Sequence, residues 1–80
     1  MIEDAFIKND TGVQIGSNIK RLRIEKGLKL SELVTKVNLY GISMTIFSLS
    51  KIEANTQHIK ASQLKAIKEI LGCSYDDLLR

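Results

Sequence analysis

The stretch Met44-Thr45-Ile46-Phe47-Ser48-Leu49-Ser50-Lys51-Ile52-Glu53, MTIFSLSKIE, carries the clearest helix signals in the chain. Thr45 stands where an N-cap is expected, because its hydroxyl oxygen can accept one of the backbone N–H groups that a first turn leaves unpaired. Leu49 and Ile52 are three residues apart and share a face, so the pattern predicts a helix from Ile46 to about Ala54. Asn55 follows, and Asn is among the few residues besides Gly that tolerate a left-handed C-terminal position. At about 100° per residue, Phe47 and Lys51 then point away from the core face, Ser50 lies to one side and Ile46 on the margin. An Ile and a Phe so placed raise the question of what this helix touches.

The flanking segments are also helical in pattern. On the N-terminal side, Leu30, Leu33, Val34 and Val37 have the i, i+3, i+4, i+7 form of an amphipathic helix. Asn38-Leu39-Tyr40-Gly41-Ile42-Ser43 then interrupts the periodicity with turn-forming residues. Before them, Ile15, Ile19 and Leu22 mark a first helix that stops at Lys26-Gly27. On the C-terminal side, Leu64, Ile67 and Leu71 mark a fourth helix closed by Gly72. Ser74-Tyr75-Asp76-Asp77 resembles a capping box with Asp in place of Glu, ahead of Leu78 and Leu79. Residues 1–14 read as an arm and 15–80 as one all-α domain of five short helices.

Composition narrows the function. At 80 residues, with 44% hydrophobic and 26% charged content, the chain suits one small soluble domain rather than a deep catalytic cleft. The net charge of +3 is unevenly spread: residues 19–60 hold eight Lys or Arg against three Glu, while the first ten residues sum to −2. One cysteine, Cys73, excludes an internal disulfide and suits a reducing compartment. No apolar run nears the ~20 residues that span a bilayer, and the start lacks a signal-peptide pattern, so a cytoplasmic protein without membrane contact is expected. His58 has no second imidazole or cysteine at metal-ligand spacing, and no phosphate-cradling glycine loop is present. Neither an enzyme nor a cofactor is expected, with His58 read as a solvated loop residue or phosphate contact and Cys73 as a small core residue.

GLKLSELVTKV, a connection, and then MTIFSLSKIEAN resemble the Cro/repressor type of helix-turn-helix protein, the XRE family with its lambda-repressor-like domain. Leu33-Val34 correspond to the family's Leu-Ala pair, and Leu49-Ser50-Lys51-Ile52-Glu53 to its Ile-Ser-x-Ile-Glu. IKRLRIEKGL and LKAIKEILGCSYDDLL extend the likeness from Ile15 to Leu79, although the inter-helix turn is longer than the common form. The resemblance implies a sequence-specific DNA-binding transcriptional regulator, a repressor, bound as a homodimer to double-stranded DNA. It implies base reading at Thr45, Ile46, Phe47, Ser50 and Lys51, with Ser48 as a further polar contact. Phosphate contacts fall to Lys29, Asn55, Thr56, Gln57, His58 and Lys60, and Arg23 is implied to pair with Glu53.

Departures from the family pattern bear on affinity. Lys29 and Leu30 stand where relatives carry Thr-Gln, Gln57 where Arg is frequent, and Lys68 where a buried Ala is usual. Ile46 and Phe47 replace groups that read purine edges by bidentate hydrogen bonds, so they are limited to shape or thymine methyl groups. Alternatively they fold against Tyr40 and Ile42 as core. A different class of function also fits exposed apolar residues here: a protein-interaction module, such as an antirepressor or regulatory subunit with a protein partner. Tyr75, Leu78 and Leu79 are the candidate dimer surface, or alternatively cap the core.

Overall fold

Most helix boundaries are set by a local device. A computed structural model describes residues 14–80 and the backbone of the pair Phe6–Ile7. Helix α1 (Ile15–Glu25) stops as Gly27 enters the left-handed region at φ +72°. Helix α2 (Leu30–Leu39) starts with the Lys29 N–H donating to Glu32 Oε1 at 2.8 Å. Helix α3 (Ile46–Glu53) is capped by Thr45, whose Oγ1 accepts the Ser48 N–H at 3.0 Å. Helix α4 (Ala61–Leu71) starts with the Lys60 N–H on Gln63 Oε1 at 3.0 Å. Helix α5 (Tyr75–Leu79) has the reciprocal box, Ser74 N–H to Asp77 Oδ2 and Asp77 N–H to Ser74 Oγ, both 3.1 Å.

Two boundaries differ from the sequence reading. α2 does not break at Asn38 but runs on through Leu39. The Asn38 side chain closes the following connection instead, its Oδ1 accepting the Met44 N–H at 3.0 Å. α3 ends at Glu53, one residue earlier than expected, because the Asn55 and Thr56 N–H groups fold back onto the Ile52 and Lys51 carbonyls. Asn55 itself sits at φ +60°, the conformation its short polar side chain tolerates.

Packing puts α3 between α1 and α2, sets α4 on α2 and lays α5 along α1. Ile19, Leu33, Val37, Leu49, Ile67 and Leu78 are completely withdrawn from water and form the centre of one core. Leu78 therefore cannot belong to the dimer surface suggested for it. Its side chain joins the apolar core, and Asn18 Nδ2 on α1 clamps α5 by donating to the Leu78 carbonyl at 2.9 Å and to the Arg80 carbonyl at 3.2 Å. Tyr75 and Leu79 stay partly exposed, with the Lys68 ammonium 5.1 Å from the Tyr75 ring centroid. Gly16 marks the tightest approach: a Cβ there would overlap the Ile52 carbonyl oxygen, so only Gly lets α1 reach α3.

One small ladder joins the helices. Strand β1 (Phe6–Ile7) pairs antiparallel with β2 (Ile59–Lys60), Phe6 opposite Lys60 and Ile7 opposite Ile59. The reading of residues 1–14 as an arm otherwise lies outside the described residues. The domain is small and all-α, and among the described residues no helix is long and apolar enough to cross a membrane.

Candidate nucleic-acid interface

α3 has two chemically opposite faces. Inward lie Leu49, Ile52 and Glu53. Glu53 is only 8% exposed, and a carboxylate so buried is tolerable only when paired and hydrogen-bonded. Arg23 supplies both: its Nε donates to Glu53 Oε2 at 2.8 Å and its Nη2 to Oε1 at 2.9 Å. The third guanidinium nitrogen, Nη1, donates to the Leu28 carbonyl at 2.8 Å. The hydrogen bonds to Glu53 raise the Arg23 pKa still further, against the opposing effect of burial. This fork ties α1, the α1–α2 turn and α3 into one unit.

Outward lie all five positions assigned to base reading: Thr45, Ile46, Phe47, Ser50 and Lys51 are exposed. Phe47 is 81% exposed and Ile46 50%. The alternative in which they fold as core against the Tyr40–Ile42 turn is not what the structure has. That turn is filled by buried Met44 and partly buried Ile42. Ser50 borders a recess of about 300 Å³ above the Arg23–Glu53 pair, lined also by Lys20, Leu30 and Ala54.

The six residues assigned to phosphate contact divide into two groups. Lys29, Lys60 and His58 are exposed, the two lysines being the N-cap residues of α2 and α4. Asn55, Thr56 and Gln57 have their side chains turned to the protein. Asn55 Nδ2 donates to Ser17 Oγ at 2.8 Å, Thr56 Oγ1 to the Lys51 carbonyl at 3.1 Å, and Gln57 Nε2 to Ser48 Oγ at 2.7 Å. These bonds staple the loop after α3 to α1 and to α3 itself. Their outward contribution is therefore a fixed loop shape rather than freely reaching amides.

Sequence reasoning passed over several of the residues that build this surface. Gln63 is buried, donating from Nε2 to the Ser43 carbonyl at 3.0 Å while its Oε1 caps α4, so it braces the entry to α3. Gly16 carried a readable signal, since a Gly inside a helix costs about 1 kcal/mol against Ala and so implies a packing reason. The Ser48–Gln57 pair carried none, because nine residues separate its partners across a loop. Leu39, 81% exposed, and Tyr40, 52% exposed, add apolar surface at the end of α2 that the interrupted pattern concealed. Cys73 is partly buried, and burial together with nearby Asp77 pushes its thiol pKa up. No group of three or more His, Cys, Asp or Glu suited to a metal ion occurs among the described residues. No family model, no curated protein and no solved structure matches the chain.

Proposed function

We propose that the chain is a sequence-specific, double-stranded-DNA-binding transcriptional regulator, a repressor of the lambda-repressor-like XRE type, with α2 and α3 as its helix-turn-helix. The observation that carries this reading is α3 itself: a helix locked from behind by a bidentate ion pair, yet presenting Thr45, Phe47, Ser50 and Lys51 to solvent. An α-helix fits the major groove, and a helix held rigidly can align side chains with base edges. Lys51 projects from the outward face and suits an acceptor such as guanine O6 or N7. Lys29, His58 and Lys60 suit the phosphate chain on either side of the groove, which positions the domain without specifying sequence. A homodimer reading two half-sites about 34 Å apart fits so small a domain, with Tyr75 and Leu79 as the remaining apolar contact.

The test is binding of a random duplex pool as a function of salt. Each phosphate neutralised contributes about 0.9 to the log-log salt slope, so Lys29→Ala or Lys60→Ala should flatten it by about one and weaken all duplexes alike. Lys51→Ala should instead cost about 1 to 3 kcal/mol on the selected sequence only.

The second reading, a protein-interaction module, is favoured by the exposure of Leu39, Tyr40 and Phe47. Absence of duplex binding at low salt, where the electrostatic attraction is strongest, would leave that reading in place of the first.

A further inference from the structure

We propose that the first turn of α3 reads the 5-methyl group of a pyrimidine, not a hydrogen-bonding edge, so that thymine and 5-methylcytosine are accepted at the same position. The inference rests on the DNA-binding reading above.

Each hydroxyl of this turn already accepts one hydrogen bond from the protein itself. Thr45 Oγ1 accepts the Ser48 N–H at 3.0 Å, and Ser48 Oγ accepts from Gln57 Nε2 at 2.7 Å. What faces outward between them is Ile46, half exposed, and Phe47, 81% exposed, neither of which has a donor or an acceptor. Phe47 is not a core residue left outside by poor packing, because Leu49 and Ile52 on the opposite face are fully buried.

In the major groove, thymine differs from cytosine in two ways: O4 in place of the N4 amino group, and a methyl on C5. A phenyl ring and a sec-butyl group cannot register the first difference. They register the second strongly, since a methyl against a phenyl removes apolar surface from water on both sides. Thymine O4 and the cytosine amino group are desolvated alike against such a surface, so an unmethylated cytosine differs only in lacking the methyl contact. 5-Methylcytosine restores the methyl and with it the contact. Lys51 lies four residues beyond Phe47 on the same outward side, about 6 Å along the helix axis. The hydrogen-bonded base is then expected about two base pairs from the methyl-bearing one.

Selection from three random duplex pools tests this: one with thymine, one with uracil in place of thymine, and one with thymine and with 5-methylcytosine in place of cytosine. The thymine pool should yield a motif with fixed thymines. The uracil pool should lose enrichment at those positions by about fourfold per methyl, the factor expected for withdrawing one such group from water. The 5-methylcytosine pool should admit the modified cytosine at the same positions. Phe47→Ala, with melting unchanged, should abolish the difference between thymine and uracil pools. Equal motifs from the thymine and uracil pools overturn the methyl reading and leave DNA binding intact. A uracil loss without admission of 5-methylcytosine overturns the proposed equivalence, and unfolding by Phe47→Ala overturns the outward placement on which it rests. Enrichment from no pool at low salt overturns the DNA-binding reading and this inference together.

Discussion

The two faces of α3 are made from the same eight residues and obey opposite rules. On the inner face, every group is fixed by a partner: Leu49 and Ile52 by the core, Glu53 by the Arg23 fork, and the Ile52 carbonyl by the close approach of Gly16. On the outer face, Phe47 and Lys51 are exposed and Ile46 half so, and apolar groups remain in water where the fold gains little from them. Such a division separates stability from recognition. Substitutions on one face should unfold the domain, and those on the other should leave folding alone while altering what is bound.

The severest test of the inner face is Gly16→Ala. The added methyl meets a backbone oxygen, which cannot swing aside as a side chain would, so α1 and α3 must separate. A loss of about 3 kcal/mol is expected, at the upper end for overpacking, and a fall in melting temperature of about 15 °C. Thermal denaturation followed by circular dichroism measures it; an unchanged midpoint would mean that the helices are not in such close contact.

Arg23→Ala should come next, at about 3 kcal/mol or slightly less, because it strands the buried Glu53 carboxylate rather than merely deleting an attraction. In a double-mutant cycle, adding Glu53→Ala to Arg23→Ala should recover part of that loss. Strict additivity of the two would show that the carboxylate is hydrated and not dependent on the guanidinium.

Thr45→Ala acts at the boundary between the faces. Losing the Thr45 Oγ1 acceptor for the Ser48 N–H should cost about 1 kcal/mol of stability in urea denaturation, typical of an N-cap. If the midpoint does not move, α3 is held by packing alone and its first turn needs no cap.

The smallest expected change in stability is at Phe47. Phe47→Ala should shift unfolding by no more than about 0.5 kcal/mol, as for surface substitutions generally, while reducing discrimination among duplexes. A loss of several kcal/mol instead, as for a buried aromatic, would erase the contrast between the faces.

The placement of the helices was largely legible in the residues because their boundaries are local. Thr45 caps α3, Gly72 takes φ +63° after α4, and Ser74 with Asp77 opens α5, each through neighbours a few residues away. The spacing of Leu49 and Ile52 likewise assigns an inner and an outer face before any partner is known, since helical periodicity is a property of the chain segment alone. What lay beyond the sequence depends on groups far apart in it. Asn18 holds the Leu78 carbonyl across 60 residues, and of the two placements open to Leu78, dimer surface or core, the fold takes the core. Gln57 reaches Ser48, Asn55 reaches Ser17 and Thr56 reaches the Lys51 carbonyl, stapling the loop assigned to phosphate contact. β1 finds β2 more than fifty residues on. Local periodicity limits which residues can face inward, but whether an amide, hydroxyl or aliphatic side chain is engaged or free follows from which distant atoms the packed helices bring within bonding distance, and residue spacing does not encode that.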